Sequence, residues 1–198
     1  MTDIIQRHSI RVNQIIENTL QLSRRSEPEI SDIDLKLWLE KIISEYTLQQ
    51  NKVPKINLIV NNNDITARFD PSQIEQVLIN LVDNGIRHGT QENPSSQLFI
   101  LLDQSEVQGQ AYISVIDQGA GVSPENALHL FEPFFTTESQ GTGLGLYLSR
   151  EICEANQAHL DYIDPEDTRF QTSQISELSD QRVGACFKII FAHAKRII

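Results

Sequence analysis

Asn80-Leu81-Val82-Asp83-Asn84-Gly85-Ile86-Arg87-His88 is the stretch on which the reading of this chain turns. It closes a helix with a strongly marked start, because Asp70 can cap it and Pro71 fits the first helical position. At about 100° per residue, Ile74, Val77, Leu78, Leu81, Val82 and Gly85 share one face. Asn80 and Asn84 stack one turn apart at the edge of that face, and Arg87 lies one turn further on. Two amides and a guanidinium bordering a buried surface are costly unless something satisfies them. Alone, the helix allows an ordinary polar border as well as a binding site. It is expected to stop at Gly89.

Two glycine clusters change the balance. Asp117-Gln118-Gly119-Ala120-Gly121 and Gly141-Thr142-Gly143-Leu144-Gly145-Leu146 hold five of the nine glycines. Asp117 ends an expected strand, where a carboxylate can accept from an exocyclic amine while the glycines let backbone approach a flat ring. The second cluster opens a helix, and a glycine-rich helix start exposes N–H donors suited to phosphate. No strand precedes it and no Lys follows it, so neither a Rossmann fingerprint nor a P-loop is present. Each cluster separately also reads as a plain turn or hinge.

Composition sets the bounds. The 198 residues carry 16 basic and 27 acidic side chains, a net charge of -11, which argues against a phosphate-tracking nucleic-acid binder. Hydrophobic content of 39% and charged content of 22% indicate a globular domain with an appendage. Cys153 and Cys186 lack metal-ligand spacing and read as buried free thiols in a reducing compartment. No apolar run approaches the length that spans a bilayer, so no direct membrane contact by these residues is expected.

In chain order, residues 1–25 read as a lone amphipathic helix and residues 26–33 as a linker. Asp34 caps a second helix carrying Leu35, Trp38, Leu39, Ile42, Ile43 and Tyr46. Strands are expected at 56–60, 65–69, 98–102, 112–117, 159–163 and 185–191, the first two separated by a turn-rich run of asparagines. The helix opening in the second glycine cluster should continue to about Ala155, burying Leu144, Leu148, Ile152 and Ala155. Residues 164–182 form a polar, unpatterned insert. The order predicts an α+β fold, a two-layer sandwich with helices on one face of a mixed sheet.

Together the motifs resemble a known family. The Asn80–His88 stretch is similar to the N box of two-component sensor histidine kinases, and the Asp117 cluster to their G1 box. Phe131-Glu132-Pro133-Phe134-Phe135-Thr136-Thr137 resembles their F box and the Gly141 cluster their G2 box. The likeness covers roughly residues 34–192, and residues 130–156 look most like the nitrogen-regulation and type IV pilus sensor kinases. It implies the Bergerat, or GHKL, ATP-binding fold over 34–198, with a lid at about 122–142 and with ATP and Mg²⁺ as cofactors. Carried over by position, Asn84 would ligate Mg²⁺, Asp117 would receive the adenine amine, and Gly119 and Gly121 would shape the purine wall. Arg87 sits where relatives place a cation near the terminal phosphates. His88 and Thr142 would help line the ATP pocket, with Gly143, Leu144 and Gly145 at the lid's phosphate hinge. Phe131, Phe134 and Phe135 would anchor the lid and offer an apolar surface to the phosphoacceptor domain.

Asn80 matches the position of the catalytic Glu in related chaperone and topoisomerase ATPases. An amide cannot take a proton from water as a carboxylate can, so transfer to an already nucleophilic imidazole fits better than fast hydrolysis. Glu138 departs from the family, in which many relatives have Lys. His8 has the spacing of an acceptor motif from His8 to Arg11, but lacks the acid and Pro that complete it. Residues 1–25 leave room for one helix only, so they are expected to be the second helix of the acceptor hairpin, whose His lies outside the chain. The resemblance implies the catalytic part of a histidine protein kinase, cytoplasmic in a bacterium and compatible with a parent anchored in the inner membrane. Expected partners are the phosphoacceptor hairpin of a homodimeric parent and a response regulator. A non-catalytic nucleotide-sensing interaction module on the same fold is the alternative.

Overall fold

The computed structural model describes residues 27–50, 55–62, 64–105, 109–138, 141–165 and 183–192. The expected helix at 1–25 with His8, and residues 166–182 of the polar insert, lie outside the described residues. The elements are β1 (Ser31–Asp34), α1 (Leu35–Gln49), β2 (Lys55–Val60), β3 (Thr66–Phe69), α2 (Pro71–Glu92), β4 (Gln97–Gln104), β5 (Ala111–Ile116), α3 (Pro124–Ala127), α4 (Gly145–Ala155), β6 (Ala158–Ile163) and β7 (Cys186–Phe191).

Five strands form one mixed sheet in the order β2-β4-β5-β7-β6. Only the β2–β4 pair is parallel, with Lys55 opposite Gln97, and the others are antiparallel. Alternation along the strands divides the two faces. Leu98, Ile100 and Leu102, with Ile113, Val115, Leu160, Phe187, Ile189 and Phe191, join a core completed by Leu35, Leu39, Ile74, Val77, Leu78 and Leu81 from the helices. The opposite face carries a small cluster of Phe99, Ile116, Ile163 and Cys186. This is the expected sandwich. Cys153 and Cys186 are free and buried, and burial pushes each thiol up to about 12, so both stay protonated at neutral pH.

Three local expectations change. Residues 31–34 are not simple connector but a strand, paired antiparallel with β3 from Ser31 opposite Phe69 to Asp34 opposite Thr66. Helix α2 continues past Gly89 to Glu92. Gly89 is buried, and a Cβ there would come within 2.7 Å of Ser96 Oγ, so this glycine permits close approach rather than ending the helix. In α4 the buried face is Leu148, Ser149 and Cys153, whereas Ala155 is exposed and Ile152 half-buried. Polar ties to α2 through Ser149 and Asn156 set that rotation.

Candidate nucleotide-binding site

The site forms where α2 meets the end of β5, the start of α4 and the approach to β7. Asp70 holds the beginning of α2: its Oδ1 accepts from Ser72 N at 2.9 Å and Gln73 N at 3.2 Å. Burial of Ile74, Val77, Leu78, Leu81, Val82 and Gly85 then fixes the helix's rotation. That rotation puts Asn80, Asn84 and His88 at its half-buried edge, with Arg87 more exposed. From Asn80 to His88 the edge runs about 12 Å.

The first glycine cluster lies along the C-terminal half of this edge. A Cβ on Gly85 would be 3.5 Å from Asp117 Cβ, and one on Gly119 would be 3.2 Å from the His88 carbonyl carbon. Asp117 is buried at the end of β5. Its Oδ1 accepts from Gly119 N at 2.8 Å and Ala185 N at 3.0 Å. Oδ2 takes no hydrogen bond among the described residues. Burial raises the carboxyl above the usual range, opposed by those two amides and the His88 charge. Gly121, at φ +81°, turns the chain away beneath the Gly184 carbonyl.

The second cluster meets the other half of the edge. Asn80 Nδ2 donates to the buried Ser149 Oγ at 2.9 Å, and a Cβ on Gly145 would sit 2.7 Å from Asn80 Oδ1. Leu144 is the buried N-cap of α4 and supplies no side-chain cap; its own N–H reaches Thr142 Oγ1 at 3.4 Å. The first amides of α4 are thus left without a capping side chain beside Asn80, as a phosphate site requires. Gly143, at φ +68°, accepts from Phe134 N at 2.8 Å, and a Cβ there would be 2.4 Å from the Phe134 carbonyl carbon. Phe134 itself has φ +68°, a left-handed conformation costing an L-residue about 1–2 kcal/mol.

Between the clusters, Val122, Leu130 and Phe131 pack onto the core. Phe131 meets Phe187 edge-on at 6.5 Å and lies under the Arg150 guanidinium at 5.1 Å, so it is fastened to the sheet. Leu128 and Phe134 stay exposed, at 80% and 68%. Glu138 reaches back to α2, 2.9 Å from Arg87 Nε and 3.3 Å from His88 Nε2, while Arg87 Nη2 donates to Asn84 Oδ1.

Of the residues singled out in the sequence, Asn80, Asn84, Arg87 and His88 lie on α2, Gly119 and Gly145 stand against that helix, Asp117 and Gly121 lie beside Gly184, and Phe131 packs on Phe187 and Arg150 while Phe134 is exposed. Three participants were missed. Gly184 N donates to the Asp117 carbonyl at 2.8 Å, and a Cβ there would come 2.2 Å from Asp117 Oδ1. Its signal was a single glycine just before a strand, which marks close backbone approach only weakly. Ser149 reads as a routine helix residue, and its tie to Asn80 spans 69 positions. Glu138 was seen only as a departure in type, not as a partner of Arg87.

Residues 69–193 match the family model described as "Histidine kinase-, DNA gyrase B-, and HSP90-like ATPase". The chain belongs to this ATPase family. Among curated relatives of this HATPase chain, the sensor protein kinase PilS of Pseudomonas aeruginosa is 43% identical over 197 residues, covering 100% of this chain and 34% of that protein. The sensor histidine kinase ZraS of Escherichia coli O157:H7 is 28% identical over 78% of this chain and 33% of its own length. The HATPase chain thus spans about a third of the length of the curated relatives it matches. The nucleotide-free catalytic domain of the histidine kinase ThkA superposes with a TM-score of 0.62 at 24% identity, covering 83% of this chain and 96% of that one. ThkA in complex with the response regulator protein TrrA gives 0.67 at 23%, over 98% of this chain and 51% of that one. These two structural likenesses carry the fold. No helix among the described residues of the HATPase chain is long and apolar enough to cross a membrane.

Proposed function

We propose that this chain is the ATP-binding catalytic part of a sensor histidine protein kinase, which passes the γ-phosphoryl group of ATP to a His on a phosphoacceptor hairpin. The observation that carries the reading is Asp117. One oxygen of this buried carboxylate is held by two backbone amides, and the other takes no bond among the described residues. That second oxygen is not sealed off, since Glu138 Oε1 is the buried side-chain atom left without a hydrogen bond among the described residues, and an adenine amine is a donor that can meet it. Gly119, Gly121 and Gly184 let the backbone close around this carboxylate and fix its position, since a Cβ at any of them would press on Asp117, His88 or Gly184.

At the other end, the uncapped start of α4 and Arg87 supply donors for phosphate oxygens. The described residues contain no group of three or more His, Cys, Asp or Glu that could cage a metal. Asn84 offers one neutral oxygen, which fits Mg²⁺, an ion commonly held by one or two protein oxygens together with substrate phosphates. When bound, Mg²⁺ neutralises and orients those phosphates. The protein's own contribution is positioning and charge compensation, as in phosphoryl transfer generally. Asn80, held by Ser149, supplies an amide and no base, which leaves water unactivated and favours an imidazole acceptor.

The exposed Leu128 and Phe134 suit contact with the apolar flank of the acceptor hairpin. Onward transfer to an Asp of a response regulator then follows from the acceptor His, in a homodimeric, bacterial cytoplasmic parent with or without a membrane anchor. Glu138 on Arg87 favours a second reading, a nucleotide-sensing module without transfer activity. Titration calorimetry with Mg-ATP tests the site directly. Asp117→Ala should weaken binding about 10- to 100-fold, the loss of a charge-assisted hydrogen bond, and Asn84→Ala should weaken it in the presence of Mg²⁺. Unchanged affinity in both variants rules the site out.

A further inference from the structure

Glu138 reaches α2 from a turn that holds its own backbone. Its N–H meets Thr136 Oγ1 at 3.1 Å and its carbonyl accepts from Gly141 N at 3.2 Å. The side chain then lays Oε1 against Arg87 Nε and His88 Nε2 at 2.9 and 3.3 Å. Glu138 is only 21% exposed, whereas the Arg87 and His88 side chains are 50% and 42% exposed. Its Oε1 is buried, yet neither contact meets hydrogen-bond geometry. A permanent structural ion pair satisfies its buried oxygens, usually with a bidentate fork. This carboxylate has the proximity of a partner without the bonding of one.

We propose that Glu138, held against Arg87 and His88, is an internal occupant of the phosphate end of the site and is displaced when the nucleotide binds. The proposal rests on the ATP-site reading above. Carboxylate and phosphate oxygens are interchangeable ligands of a guanidinium, so what seats Glu138 also seats a phosphate. Two anions repel at this spacing, which makes occupancy exclusive. Arg87 is committed twice, through Nε to Glu138 and through Nη2 to Asn84 Oδ1, the oxygen assigned above to Mg²⁺. Withdrawal of Glu138 therefore frees Arg87 Nε for a phosphate oxygen. Glu138 lowers affinity for phosphate-bearing ligands and leaves recognition of the base at Asp117 untouched.

The test compares ATP with adenosine, both titrated in the presence of Mg²⁺ into the full chain carrying wild-type Glu138, Glu138→Gln or Glu138→Ala. Both variants should bind ATP about fivefold more tightly, the equivalent of one partly exposed ion pair removed from competition, with adenosine affinity unchanged. Asp117-dependent ATP binding that is no tighter in either variant overturns the internal-occupant proposal and leaves the nucleotide site standing. Equal tightening of adenosine and ATP also overturns it, because the effect would not lie at the phosphate end. ATP binding absent from the wild type and both variants overturns the site reading and this proposal together.

Discussion

Asp117 leaves its neighbours no spare volume, and Gly184 shows this most directly. Two backbone amides hold one carboxylate oxygen, and the same oxygen stands where a Gly184 Cβ would intrude to 2.2 Å. Gly119 N would be only 2.4 Å from that Cβ. We expect Gly184→Ala to cost about 1–3 kcal/mol of stability from overpacking and to weaken adenosine binding by displacing Asp117. Thermal unfolding and calorimetry on one preparation check both, and wild-type adenosine affinity would contradict the placement. Asp117 was legible in the sequence because its glycines follow within four positions. Gly184 was not, since nothing local connects it to a carboxylate 67 positions earlier. The same holds for Ser149 against Asn80, and for Glu138 against Arg87. A sequence pattern exposes the residues that make a site, but not the ones that hold them in place.

Among the elements, α2 carries most of the site, and both of its ends differ from a simple helix. Its C-terminal end passes Gly89 because a glycine facing Ser96 serves packing there. Its N-terminal end is a polar junction. Asp70 accepts from Ser72 and Gln73 in α2 and from Glu29 N at 2.9 Å, tying down the segment before β1. Asn156, just past α4, accepts from Asp70 N at 2.7 Å and donates to Gln73 Oε1 at 2.8 Å. Burial alone would raise the Asp70 carboxyl, but the hydrogen bonds from Ser72, Glu29 and Gln73 outweigh it and hold the group below its ordinary value. The stability this adds is full above the ordinary carboxylate range and is lost as pH falls through the lowered value. Asp70→Ala should therefore be about 1–2 kcal/mol less stable near neutral pH, with the gap unchanged down to about pH 5 and narrowing only below about pH 4. A pH-independent gap in denaturant unfolding would refute that role. The helix starts at Asp34 and Asp70 were legible because capping is local chemistry. The rotation of α4 was not, because its partners lie in α2.

For the whole molecule, hydrophobic periodicity indicated the strands and helices, and their order along the chain indicated the sandwich. The order β2-β4-β5-β7-β6 could not be read from periodicity, because the parallel β2–β4 pair spans 42 positions and encloses β3 and α2. The net charge of -11 makes the few cations near the site consequential. Arg87 is one of them, and Glu138 stands against it.

The central claim is transfer to an imidazole outside this chain, and one measurement addresses it. The chain is mixed with Mg-[γ-³²P]ATP and a His-bearing phosphoacceptor hairpin supplied in trans. The account predicts acid-labile, alkali-stable label on the hairpin His, lost when that His is replaced and lost again in the Asp117→Ala chain. Steady release of inorganic phosphate with the hairpin left unlabelled would contradict it.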